Sequence, residues 1–137
     1  MRTEDTMRKA EIDASTIADN LNSGTTPTIN FVDVKTVPAK IIGVSKKETC
    51  VGATVDDTCD VTDRIFWESG SRHSKVLTDS SSSPNNLYVI EYLSDETILF
   101  RGEDTNVRVF RITVRGFGED SKAVTTVQSI FMRRNAS

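Results

Sequence analysis

Leu87-Tyr88-Val89-Ile90-Glu91-Tyr92-Leu93, then Val107-Arg108-Val109-Phe110-Arg111-Ile112-Thr113-Val114-Arg115-Gly116, then Ala123-Val124-Thr125-Thr126-Val127-Gln128-Ser129-Ile130-Phe131: these runs decide the fold class. β-Branched and aromatic side chains fill them, and turn formers separate them, which is the pattern of strands in an antiparallel sheet. A glycine-bearing corner, Phe117-Gly118-Glu119-Asp120-Ser121-Lys122, divides the second run from the third. Within the second run Phe110, Ile112 and Val114 alternate with Arg111, Thr113 and Arg115. A period of two puts the first set on a buried face and the second toward solvent. Leu87–Leu93 is apolar on both faces, as a central strand would be. Asp95–Arg101 is a further short apolar run linking the first strand to the second.

Working outward, the first twenty-two residues predict a helix. Met7, Ala10, Ala14, Ile17 and Leu21 recur at steps of three and four and line one face, while Arg8, Lys9, Glu11, Asp13 and Asp19 cover the others. Asn22-Ser23-Gly24 ends it, because glycine supplies the left-handed residue past a helix C-terminus. Residues 23–86 form the connecting part. Thr28–Val37 is extended or strand-like up to Pro38, Lys40–Val44 is a second short apolar run, and Asp63–Glu68 is a strand or a turn anchored in the core by its aromatics. Ser69–Asn86, with four consecutive serines at Ser80–Ser83, predicts a surface loop. The expected architecture is α+β: one domain over 1–137, with a helix at 1–22 packed on an antiparallel sheet whose main strands lie in 87–134.

Composition excludes several classes of function. The net charge of −3 gives no long-range attraction for nucleic acid or anionic lipid. The aromatic residues lie mostly within strand-like runs and, lacking a basic groove, belong to the core rather than to a base-stacking platform. No apolar run approaches the roughly 18 residues that a membrane span needs, and the first ten residues do not form a signal peptide. His73, the one histidine, sits in the polar stretch Ser71-Arg72-His73-Ser74-Lys75 and has no partner pattern for nucleophilic catalysis. No phosphate-binding loop, nucleophile elbow or zinc-protease helix is present. The chain reads as a non-enzyme without a cofactor. Asp56, Asp57, Asp60 and Asp63 lie within eight residues and offer oxygens to a calcium ion, but their spacing departs from the EF-hand loop, so a solvated acidic loop competes with that reading. Cys50 and Cys59, the only cysteines, enclose eight residues and are open to three readings: a disulfide, two free thiols, or half of a metal site.

The sequence also resembles the C-terminal domain of the PilX-type minor pilins of bacterial type IV pili. The resemblance rests on Tyr88-Val89-Ile90-Glu91, on Phe110-Arg111-Ile112-Thr113-Val114-Arg115-Gly116-Phe117-Gly118 and on Val127-Gln128-Ser129, in that order. It covers about the last third of the chain. Ala10-Glu11-Ile12-Asp13-Ala14 echoes the family's helix only in part, Val114 stands where alanine is commoner, and Gly24–Asn86 carries no motif that aligns.

Several expectations follow from the resemblance. The fold would be pilin-like. The chain would be a soluble fragment whose hydrophobic N-terminal helix is missing, and that helix would anchor the full-length protein in the inner membrane, facing the periplasm, before assembly. The function would be structural: helping to prime the pilus and standing at or near its tip at the cell surface, with other minor pilins and tip proteins as partners and no nucleic acid. Gly116 and Gly118 would serve the backbone geometry of the corner, and Arg111 and Arg115 would be candidate partner contacts. A type II secretion pseudopilin and a free extracellular adhesin or binding domain with a calcium loop are the competing readings.

For an exported protein the Cys50–Cys59 pair is expected to close, removing about 2.5–3 kcal/mol of unfolded-chain entropy. Intact mass of periplasmic protein should show no alkylation until reductant is added; alkylation of both thiols without reductant would refute the bridge.

Overall fold

The computed structural model describes residues 3–35, 39–42, 47–49, 67, 76–81, 85–117 and 124–135. Cys50, Cys59, Asp56, Asp57, Asp60, Asp63 and Gly118 lie outside them. One helix, α1 (Thr3–Asn22), opens the chain, with Glu4 and Asp5 in its first turn, where the positive end of the helix dipole favours them. Its stop is a Schellman motif. The Thr25 N–H donates to the Asn20 carbonyl at 2.8 Å and the Gly24 N–H to Leu21 at 3.2 Å, with Gly24 at φ +73°.

The largest unit of the sheet is a hairpin of two 15-residue strands, β5 (Asn86–Phe100) and β6 (Glu103–Phe117). The runs at 87–93 and 95–101 are therefore one strand, not two. Arg101 and Gly102 turn the chain with both φ values positive, 53° and 79°. That is the handedness which matches the twist of the flanking strands. The antiparallel register holds from Leu87↔Arg115 to Phe100↔Glu103 with a single irregularity, a bulge between Tyr92 and Ser94. The extra residue, Leu93, exchanges the two faces of the strand beyond it. β7 (Val124–Arg134) then pairs with β6 along its whole length, Val107↔Arg134 to Phe117↔Val124.

The rest of the sheet corrects the expectation of a purely antiparallel arrangement. β1 (Phe31–Asp33) pairs with β5 in parallel, Val32↔Glu91 and Asp33↔Tyr92. β2 (Lys40–Ile42) and β3 (Lys47–Thr49) continue outward in antiparallel pairs, giving the order β3-β2-β1-β5-β6-β7. The long connection from β1 to β5 leaves room for the crossover that a parallel pair requires. β4 (Leu77–Asp79) also pairs with β5, at Asn86–Tyr88. A strand thus stands inside the segment expected to be loop, because β1 reaches only the Glu91–Tyr92 part of that edge and the N–H and C=O groups before it need partners too.

Both faces of the β5–β6 ribbon are covered. On one, Ala10, Ala14, Ile17 and Ala18 of α1 pack on Tyr88, Ile90, Tyr92, Phe110, Ile112 and Val114, with Met7 and Leu21 at the margin. The alanines keep the helix close to the sheet. On the other, Val89 joins Val32, Ile41 and Trp67 in a smaller cluster. This second cluster explains why Leu87–Leu93 is apolar on both sides.

Gly116 lies within β6, not at a corner, and has a packing role in place of the expected backbone-geometry role. A Cβ there would stand 2.4 Å from Cγ2 of Thr3 and 3.5 Å from Oδ1 of Asn86. The missing side chain lets the start of the helix close on the sheet. Gly116→Ala should lower stability by about 1–2 kcal/mol through overpacking, and Thr3→Ser in the same chain should restore most of it. Thermal melts of both variants check this; a single variant that melts like the parent would refute the close approach.

Candidate interaction surface

A charged pair spans the two central strands on the face away from the helix. Glu91 is the one acid within an otherwise apolar run, and the register sets it directly opposite Arg111. Glu91 is 1% exposed. Arg111 donates to it twice, Nε to Oε1 at 2.8 Å and a terminal nitrogen to Oε2 at 3.0 Å. This planar fork is the strong form of the pair. The expectation that Arg111 and Arg115 point to open solvent is thus revised. They lie on the face opposite the helix, but Arg111 is held by Glu91 and Arg115 packs against the Trp67 ring. Arg115 is half-buried, its guanidinium 5.8 Å from the centre of the Trp67 ring and its Nε without an acceptor among the described residues.

Two further polar groups, neither legible in the sequence, tie the helix to the strands. Near its start, Thr6 donates to Asp79 at 2.6 Å and accepts from Asn86 at 3.0 Å, while the Phe117 N–H donates to Asn86. Burial pushes the Asp79 carboxyl up, but hydrogen bonds from Ser81 and Thr6 and the charge of Lys9 outweigh this and hold it below the usual 3.8. Near the helix C-terminus the Tyr92 hydroxyl donates to Asp95 and accepts from Arg108 at 2.6 Å and Lys35 at 3.2 Å. Arg108 also donates to Asn22 at 3.0 Å, and Asn22 to the Arg134 carbonyl at 3.1 Å. Burial and Asp95 raise the Tyr92 phenol against the pull of the two cations. These side chains bind one another, and their geometry assembles no nucleophile and base.

The remaining surface is β7. Val124, Val127, Ile130 and Met132 are exposed there, and Phe131 alone of its large apolar residues packs on the helix-side core. The sequence placed this run in the sheet but did not show it to be an edge. An outer strand exposes both faces, so its apolar residues look like those of a core strand.

A helix laid on a sheet whose last three strands carry the quoted motifs is the arrangement found. The sequence model described as type IV pilus assembly protein PilX C-term matches residues 14–133, from mid-helix to the end of β7. The chain belongs to this PilX C-terminal family. Such a family is structural, and membership associates the chain with the type IV pilus machinery of the cell envelope. The match takes in the middle of the chain, Gly24–Asn86, which carries none of the quoted motifs. No curated protein and no solved structure matches the chain.

Within this PilX-family domain the Glu91–Arg111 pair carries a testable consequence. Arg111→Met leaves a buried carboxylate without its fork and should cost about 2–3 kcal/mol, less than a fully enclosed pair because Arg111 keeps contact with water. Glu91→Leu combined with Arg111→Met should recover most of that. Urea denaturation reads both; a single variant as stable as the parent would show the pair to be dispensable.

Proposed function

We propose that this chain is the globular part of a minor pilin, with a pilin-like fold, that helps prime type IV pilus assembly and stands at or near the pilus tip. The observation that carries the reading is the family match across residues 14–133. The full-length protein is held at the inner membrane, before assembly, by a hydrophobic helix that α1 continues, and afterwards lies in the pilus at the cell surface. Its partners are other minor pilins and tip proteins, and it needs no cofactor.

The architecture suits such a role. α1 and the covered part of the sheet are committed to each other, so contacts with neighbours fall to the outer parts of β6 and β7. Arg111 and Arg115 are the proposed contact residues on that side. Arg115 is the one to test, because Arg111 also neutralises Glu91.

A strain lacking the gene should make markedly fewer pili by electron microscopy, and plasmid-borne gene should restore them. Arg115→Ser should keep the melting temperature within a few degrees, since the half-buried guanidinium it removes stacks on Trp67 but leaves its own Nε without an acceptor among the described residues, yet recover less of the partner pilins on co-purification. Normal pilus numbers in the deletion strain would end the assembly reading; unchanged co-purification would remove only the Arg115 contact.

A further inference from the structure

The β5–β6 hairpin outruns the elements beside it. β1 pairs with β5 at Val32↔Glu91 and Asp33↔Tyr92, and β7 pairs with β6 no further than Val107. α1 ends at Asn22, which binds Arg108 and the Arg134 carbonyl. The pairs Ile98↔Thr105, Leu99↔Asp104 and Phe100↔Glu103 lie beyond all three. They form an arm that leads on past the C-terminal end of the helix. At its tip Leu99 is 73% and Phe100 46% exposed. Alternation sets Glu96, Ile98, Phe100 and Glu103 on the face away from the helix. Among the described residues Glu96, Glu103 and Asp104 make no ion pair, and Arg101 is the arm's one cation. A two-stranded ribbon alone is marginally stable in water, so this tip gains from being covered.

The complementary group stands at the other end of the molecule. Arg115 lies where α1 begins: the next residue of β6, Gly116, is the one on which Thr3 closes. The Arg115 guanidinium is 5.8 Å from the centre of the Trp67 ring, and its Nε has no acceptor among the described residues. Phe117 and Val124, paired across β6 and β7, flank it on the same face, and Val124 is exposed. A buried donor without an acceptor is costly, and the acceptor that best fits a guanidinium is a carboxylate. Arg115 lacks what the arm has in excess. We propose that the arm of one copy docks on the Arg115 end of a second copy, with Glu103 accepting from the guanidinium and Phe100 packing beside Phe117 and Val124.

Charge complementarity and placement select this occupant. Both halves of the contact are carried by this one chain, and they stand at opposite ends of α1. Copies stacked along the helix direction bring arm to socket without any copy being turned over, so their helices stay parallel, as subunits anchored through the same helix require. The contact joins two different surfaces, so it is heterologous: each copy keeps a free arm and a free socket, and the assembly grows past two. The inference rests on Arg115 being a contact residue, as in the reading above, but its test uses the purified chain alone, so it can fail while the assembly role stands.

The test is sedimentation velocity of the 137-residue chain from low micromolar to near-millimolar concentration, with thermal melts as a folding control. The average mass of the parent should rise past that of a dimer across this range. Glu103→Lys spoils the arm and Arg115→Ser the socket; each alone should weaken association about tenfold or more, the effect of losing a charged hydrogen bond, with melts within a few degrees of the parent. An equimolar mixture of the two variants should form a dimer and stop there, because it holds intact arms on one partner and intact sockets on the other. A parent chain that stays monomeric throughout, as an arm reserved for a different subunit would leave it, overturns the proposal. So does either single variant that associates as well as the parent. A mixture that gives no dimer, or that grows beyond one, overturns the head-to-tail pairing of arm and socket.

Discussion

Everything in this domain is referred to the pairing of β5 with β6. Two 15-residue strands, joined by a two-residue turn, form a ribbon long enough to carry the helix on one face and the β1–Trp67 cluster on the other. The turn at Arg101–Gly102 sets the register, and a slip of one residue would expose Phe110, Ile112 and Val114. The bulge at Leu93 is part of the same constraint. Without it Asp95 would fall on the far face, away from Arg108 opposite it and the Asn22 end of the helix; with it Asp95, Tyr92, Lys35 and Arg108 meet at one place.

The polar groups secure the periphery of that ribbon. Thr6, Asp79 and Asn86 close one end of the helix against the sheet, and Asn22, Arg108 and Tyr92 close the other. Each is a place where burial removes water and a partner must replace it. Glu91 and Arg111 do the same between the strands. A buried ion pair of this kind adds less to stability than its geometry suggests, since both groups have lost hydration, but it opposes every register except the one that brings them face to face. The domain is firmly built toward α1 and β1, and among the described residues nothing pairs with the outer side of β7. That asymmetry suits a subunit of an assembly better than a self-contained binding protein.

The strand runs, the helix with its stop and the buried face of β6 are legible in the sequence. Their signals are local: a period of two, a period near 3.6, and a glycine after Asn22-Ser23. Less was legible in residues 23–86. Phe31–Asp33 read as strand, but nothing in three residues says that they pair in parallel with Glu91 and Tyr92. Leu77–Asp79 read as loop, since a strand that short gains its partners from the edge beside it and not from its own composition. The fused strand β5 shows in the sequence as two runs because the bulge interrupts the alternation. Gly116 read as a turn residue, whereas its neighbour is Thr3, more than a hundred positions away in sequence.

The sequence by itself determined the helix-and-sheet class of fold and the family, because each follows from which residue types recur at which spacing. The tertiary structure decided which polar residues matter. Glu91 differs from any other glutamate only through Arg111 across the register, and Asp79 differs from a loop aspartate only through Thr6. It also decided that Arg111 is engaged and that β7 stands last in the sheet among the described strands. Whether a strand is central or at an edge depends on what stands beside it, and a strand's own side chains carry almost no record of its neighbours.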